Sequence, residues 1–196
     1  MSRGVFVERL RLMLYDLEGA SRVPFVIHRA AQGDWAPFAV ASPVGVIAGT
    51  SAMYLTVTCS ETVARITEED IARETRDTFV GDSRTRAHVR ACQEWPRGDI
   101  PAGYFEPVRS DVPVLIFSGE LDAATPARFA SEAARSLPNS RQILIRNAAH
   151  ADWSDCLQSL ALDFIARGSA RDLDTTCVLA LRRPAFVTDP PGPRLD

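Results

Sequence analysis

Two short, continuous apolar runs on either side of a helix-like segment constrain the fold of this chain most. The predicted strands over 112–118 and 142–146 contain the continuous apolar runs 114–117 and 143–145, as is typical of strands that are covered on both faces in a parallel sheet. Residues 126–137 between them predict a helix, and 155–167 predict another. The order strand, helix, strand, helix predicts an α/β fold in which a right-handed crossover makes the two strands neighbours.

Each predicted strand is followed by a residue suited to hydrolytic chemistry. Asp122 lies in the loop after the first strand, and His150 follows Ile145 by five positions. An acid placed in this way can accept the imidazole Nδ1–H and fix the histidine tautomer, as in a catalytic triad. The alternative is that Asp122 is a loop acid or a helix cap and that His150 is a loop histidine with ordinary hydrogen bonds.

The first half of the chain is predicted to be mainly helical. Helical periodicity or a helix-start signal occurs three times before residue 45, and Thr67 with Asp70 matches a capping box. Residues 53–58, rich in β-branched and aromatic side chains, predict a strand. The predicted elements are helices over 6–17 and 24–31 and from about 35, a strand over 53–58, a helix over 67–79 and an irregular connector over 92–112.

Composition and charge exclude several function classes. The 22 basic and 25 acidic residues are interspersed and give a formal net charge of -3, so nucleic acid and an anionic membrane surface are not expected as partners. No apolar stretch approaches the ~18 residues of a membrane span. Residues 1–5 lead into an amphipathic segment without the layout of a signal peptide.

The four cysteines form an even set that can close two loops. Bonding in sequence order, Cys59 with Cys92 and Cys156 with Cys177, is preferred because each bridge would then hold one local unit together. Four buried free thiols are the alternative. No metal site is expected, since no close Cys/Cys or His/Cys spacing occurs, and no cofactor is indicated.

Residues from about 92 to 187 resemble the C-terminal domain of the tripeptidyl-aminopeptidase-like α/β-hydrolases, which are secreted or cell-envelope serine exopeptidases. The resemblance rests on several short segments in the same order. They are 92–96 (CQEWP), 113–122 (PVLIFSGELD) with Thr125-Pro126, 137–140 (LPNS), 148–150 (AAH), Cys156, Cys177 and 183–186 (RPAF).

This resemblance implies a partial α/β-hydrolase, in which a helical cap region precedes the last β-α-β-α unit of the parallel sheet. The implied regions are a cap-like segment (1–50), a cap return and connector (51–111), the C-terminal part of the core (112–187) and a loose tail (188–196). Asp122 would be the triad acid, His150 the triad base, and both cysteine pairs disulfides. The implied location is secreted or cell-envelope.

The family's nucleophile is the part that the resemblance does not supply. In these enzymes a serine in Gly-x-Ser-x-Gly comes at a strand-to-helix elbow before the acid and the histidine, and this pentapeptide does not occur in the chain. Ser51, in Gly49-Thr50-Ser51-Ala52-Met53, keeps only the first half of the pattern and is a weak candidate. The expected function is hydrolysis of peptide or ester bonds, with the serine supplied by a missing N-terminal hydrolase half, by a separate chain or by Ser51. The alternative is a non-catalytic remnant that acts as a self-associating binding module, with a homodimer as the expected assembly.

Overall fold

The computed structural model describes residues 2–41, 46–150 and 152–189, and it describes the side chains of these residues except 41 and 46–51. The regular elements follow one another as α1 (Arg3–Met13), α2 (Leu17–Ala31), α3 (Ala36–Ala41), α4 (Val46–Glu61), α5 (Glu68–Thr75), α6 (Ser83–Glu94), β1 (Val114–Gly119), α7 (Ala127–Ala134), β2 (Ser140–Ile145) and α8 (Asp155–Arg167). Two 3₁₀ helices cover Val63–Arg65 and Thr176–Ala180.

The chain divides into two compact units. Unit 1 comprises Met1–Leu10 and Ser42–Glu106, and unit 2 comprises Arg11–Ala41 and Pro107–Asp196. The regular elements of unit 1 in its described residues are all helices, and its most buried apolar side chains are Val7, Ile71 and the Cys59–Cys92 disulfide. Unit 2 contains the sheet and both residues of the predicted triad.

The sheet of unit 2 consists of β1 and β2, which pair in parallel from Val114↔Ser140 to Gly119↔Ile145. The two continuous apolar runs therefore form neighbouring parallel strands, as the sequence predicts. Their side chains pack with α8 and the segment after it in one apolar core, whose buried members are Ile143, Ile145, Ala148, Leu157, Leu160, Ala170, Leu173 and Val178.

The helices that flank this sheet begin and end at recognisable signals. Ser154 caps α8 by accepting a hydrogen bond from the Leu157 N–H, and Gly168 ends it in the left-handed conformation at φ 62°. Glycine is favoured there because it has no Cβ to clash. The bounds of α8 agree with the predicted helix over 155–167.

The predicted strand over 53–58 is wrong, because these residues lie inside the helix α4. A short apolar run does not separate a strand from a buried helix by periodicity alone. Thr56, Thr58 and Ser60 each donate their hydroxyl to a carbonyl four residues earlier, at 2.7–2.9 Å, so the β-branched threonines are accommodated within the helix.

The predicted helix over 6–17 is also wrong in its extent. α1 ends at Met13, and α2 begins at Leu17 with Asp16 as its N-cap, whose side chain accepts the Gly19 N–H. Gly19 lies inside α2, where a Cβ would come within 2.4 Å of the Met13 carbonyl oxygen. The glycine thus permits a close approach between two helices and does not end the first one.

The other predicted helices of the first half are present with shifted bounds. α2 begins before the predicted 24–31 segment and contains Pro24, α3 begins at Ala36, and α5 has the predicted capping box of Thr67 and Asp70 but ends at Thr75. The predicted tail over 188–196 lies outside the described residues from residue 190 onward. No helix within the described residues is long and apolar enough to cross a membrane.

Candidate active site

Asp122 lies in the loop after β1 with its carboxylate almost fully enclosed. Its side chain is 6% exposed, and both oxygens are used. Oδ1 accepts the backbone N–H groups of Ala124 at 2.8 Å and Thr125 at 2.7 Å, and Oδ2 accepts the Thr125 hydroxyl at 2.8 Å. A buried carboxylate satisfied in this way is held in one orientation.

His150 completes the arrangement from the loop after β2. Its Nδ1 lies 3.0 Å from Asp122 Oδ2 and 3.0 Å from Thr125 Oγ1. An ionised carboxylate can only accept, so Nδ1 carries the proton in this arrangement and Nε2 is the nitrogen left to exchange a proton with a nucleophile. The imidazole is 36% exposed, which leaves it open to a reacting group.

The electrostatics of the loop keep Asp122 ionised. Burial alone would raise the pKa of Asp122, but hydrogen bonds from the Thr125 backbone and hydroxyl, from His150 and from the Ala124 backbone outweigh it. The pKa of Asp122 therefore lies below its usual value. An ionised acid next to the imidazole stabilises the imidazolium that forms when His150 takes up a proton.

Close backbone contacts bring the two loops together. The N–H of Glu120 donates to the Ile145 carbonyl at 3.0 Å, and the N–H of Leu121 donates to the Ala148 carbonyl at 2.9 Å. A Cβ at Gly119 would lie only 2.4 Å from the Ala149 carbonyl oxygen. Glycine at 119 is thus required for the loop that carries Asp122 to meet the loop that carries His150.

The junction of α1 and α2 also reaches His150. The Tyr15 ring meets the imidazole edge to face, with centroids 5.1 Å apart, and the Arg11 guanidinium donates to the Tyr15 hydroxyl at 2.9 Å. The residues from 15 to 17 therefore belong to the surroundings of the candidate triad. Sequence analysis did not identify them, because more than 130 residues separate them from His150.

A cleft of about 280 Å³ adjoins the loop that carries His150. Its walls combine apolar side chains with charges of both signs, the acidic ones being Glu18 and Asp152 and the basic ones Arg146 and Arg182. Loop residues 147, 148 and 152–154 line it, whereas His150 does not.

A family model described as TAP-like protein matches residues 77–177, just over half of the chain. The chain belongs to the TAP-like family. A comparison with curated proteins gave no match, and a comparison with solved structures gave none either. The resemblance to tripeptidyl-aminopeptidase-like α/β-hydrolases is thereby confirmed, and the TAP-like family points to a hydrolase-type function.

The TAP-like match contains β1, α7 and β2, and the parallel pair with flanking helices agrees with a partial α/β fold. Both Asp122 and His150 lie within the matched residues. The structure also contains two disulfides, Cys59–Cys92 and Cys156–Cys177, in the pairing that the sequence favours. The second bridge joins the first turn of α8 to the 3₁₀ helix Thr176–Ala180.

Ser51, the candidate nucleophile, lies inside α4 of unit 1, and its side chain is outside the described set. Ser118 at the end of β1 is buried and its hydroxyl accepts the Gln142 side-chain amide at 2.9 Å, a packing role.

Among the described residues of this TAP-like chain, no group of three or more histidine, cysteine or acidic side chains is arranged to hold a metal ion.

Proposed function

We propose that this chain supplies the acid and the histidine of a serine hydrolase that acts on peptide or ester bonds. The observation that carries the proposal is the 3.0 Å contact between His150 Nδ1 and Asp122 Oδ2, made by a carboxylate that three further donors hold in place. Membership of the TAP-like family supports the reaction class.

In this mechanism His150 acts twice through Nε2. It first takes the proton of the serine hydroxyl as the oxygen attacks the substrate carbonyl, and it then gives that proton to the leaving amine or alcohol. Asp122 keeps the proton on Nδ1 and stabilises the imidazolium between the two transfers. A second round with water as the nucleophile releases the acid product.

The helical position of Ser51 argues against it as the serine nucleophile. An elbow serine needs a strand, a sharp turn and then a helix, whereas Ser51 has five helical residues before it in α4. We therefore favour a serine from a hydrolase segment outside these 196 residues, or from a separate chain, over Ser51. The two disulfides favour an oxidising compartment, consistent with a secreted or cell-envelope location.

Ester turnover tests the triad roles directly. With a p-nitrophenyl ester as substrate and the serine-bearing segment or chain present, we expect His150→Ala to abolish turnover and Asp122→Asn to lower kcat by roughly 10³–10⁴-fold, because the wrong tautomer is then favoured. His28→Ala is the matched control, since His28 is exposed and pairs with Gln32 on α2. Turnover that is unchanged in His150→Ala would contradict the proposal.

A fluorophosphonate probe asks whether the chain carries its own nucleophile. Stoichiometric modification that maps to Ser51 and is lost in Ser51→Ala would identify a self-contained enzyme. Absence of labelling would exclude a self-contained serine hydrolase.

A second candidate function, a self-associating binding module without catalysis, is favoured by the exposed apolar side chains of unit 2. A two-stranded sheet has an open edge on each side, and large apolar residues around it are half or more exposed, among them Leu144 (50%), Trp153 (61%), Leu162 (59%) and Ile165 (71%). Surfaces of this kind are associated with protein contacts, and we propose a second copy of the chain as the partner.

A further inference from the structure

Asp152 follows His150 by two positions, and its carboxylate joins two backbone amides. Oδ2 accepts the N–H of Ala149 at 2.6 Å, and Oδ1 accepts the N–H of Leu17 at 3.0 Å. Ala149 directly precedes His150, and Leu17 is the first residue of α2. One half-buried side chain thus connects the loop that carries His150 to the start of a 15-residue helix.

The start of α2 is a favourable place for this carboxylate. The first N–H groups of a helix have no partner within it, and the positive end of the helix dipole attracts an acid. The Asp16 carboxylate already accepts the Gly19 N–H at 2.7 Å, so Asp152 adds a second acceptor from another part of the chain. Tyr15, directly before this cap, packs its ring against the imidazole.

We infer that Asp152 is a positioning residue for His150: by holding the Ala149 amide against α2, it keeps the imidazole where Nδ1 reaches Asp122. The inference deepens the proposed function, since it rests on His150 being the base. Through its hydrogen bond with Leu17, Asp152 links the α1–α2 junction to the candidate active site. Both oxygens are needed as acceptors, whereas asparagine offers only one acceptor oxygen, so Asp152→Asn loses one of the two contacts.

Nitrogen NMR of the imidazole rings tests this without any substrate. In protein labelled with ¹⁵N-histidine, the signals of His150 are those lost in His150→Gln, and the signals of His28 and His88 are internal references. We expect the wild type to hold the proton on Nδ1 and Asp152→Asn to lose this preference, with exchange of the Nδ1 proton about tenfold faster. Asp155→Asn, which makes the same charge change at an exposed residue of the first turn of α8, should leave the His150 signals unchanged.

A second pair of variants tests the other hydrogen bond of Asp152, which the Leu17 N–H donates. Leu17→Pro deletes the N–H but suits the first position of a helix, and Asp16 at φ -135° and ψ 162° already has a conformation that is allowed before proline. Leu17→Ala shortens the same side chain and keeps the N–H. We expect the proline variant alone to accelerate exchange of the Nδ1 proton.

Two results would overturn the inference. One is a set of His150 signals that are identical in Asp152→Asn and the wild type, and the other is identical behaviour of Leu17→Pro and Leu17→Ala. If turnover depends on His150, Asp152→Asn should also lower kcat about 10–100-fold with little change in KM, as a displaced base does. The imidazole signals could change in Asp152→Asn while turnover stays unchanged in His150→Ala. That result would support the anchoring by Asp152 and reject the hydrolase function, so the two failures are distinguishable.

Discussion

At the scale of single residues, Thr125 contacts both the acid and the histidine of the candidate site. Its backbone N–H donates to Asp122 Oδ1, its hydroxyl donates to Asp122 Oδ2, and the same hydroxyl oxygen lies 3.0 Å from His150 Nδ1. The hydroxyl therefore accepts a share of the Nδ1–H while it donates to the acid. Sequence analysis used Thr125 only in the Thr125-Pro126 segment of the family resemblance, because its contact with His150 joins residues 25 positions apart.

Replacing the Thr125 hydroxyl should raise the pKa of Asp122. Thr125→Val keeps the shape but removes one donor from an enclosed carboxylate, so the pKa of Asp122 should rise toward the usual value of about 3.9. We expect the free energy of unfolding at pH 7 to fall by roughly 1.5–3 kcal/mol, the range for a hydrogen bond to a charged group. Carboxyl NMR titration and urea unfolding measure the two effects.

The loss of stability in Thr125→Val should depend on pH in a defined direction. A carboxyl group whose pKa is lowered by folding contributes stability that is fully present above its unfolded pKa and is lost as the pH falls through its folded pKa. The difference in stability between the wild type and Thr125→Val should therefore be constant above about pH 5 and shrink below about pH 4. Thr125→Ser, which keeps the hydroxyl, is the control, and a pKa of Asp122 that is equal in all three proteins would contradict the assignment.

At the scale of elements, the sequence predicts the C-terminal half well and parts of the N-terminal half poorly. β1, β2 and α8 are fixed by local signals: continuous apolar runs, a Ser154 cap and a Gly168 end. Residues 53–58 of α4 are predicted as a strand because their β-branched and aromatic side chains favour strands. The hydroxyl bonds to preceding carbonyls that accommodate the threonines in a helix cannot be read from composition. The contacts of Asp152 and Tyr15 with distant residues could not be read from spacing either, since they depend on how helices meet.

The two disulfides each stabilise one unit, so their removal should have separable effects. Replacing Cys156 and Cys177 by serine opens a bridge with a sequence separation of 21 residues, and replacing Cys59 and Cys92 opens one of 33. Loop-closure entropy predicts a loss of about 3–4 kcal/mol in the free energy of unfolding for either, slightly more for the longer loop. Denaturant unfolding of both double variants measures this.

Intact mass is the accompanying control for the disulfides. Reduction of the wild type should add roughly four hydrogens if both bridges form, and reduction of either double variant should add roughly two. A wild-type mass that does not change on reduction would show that the cysteines are free thiols.

At the scale of the whole molecule, unit 2 has exposed apolar side chains beside its two-stranded sheet. On α8, one side packs Leu157, Leu160 and Phe164 into the core, while Leu162 and Ile165 are 59% and 71% exposed. Residues three apart on a helix are surface neighbours, so these two form a continuous apolar patch. Burial of such a patch is favourable by about 25 cal/mol per Å², which favours association.

We expect the chain to be a dimer at micromolar concentration and Leu162→Glu with Ile165→Glu to convert it to a monomer, because a charge at the centre of an apolar interface is left without a partner. Sedimentation equilibrium measures both states. The matched control is Val40→Glu on α3, where the side chain is 87% exposed outside this patch, and it should leave the dimer intact. A wild type that remains monomeric at tens of micromolar would reject self-association, and the apolar patch would then be explained by a hydrolase segment that covers it in a longer protein.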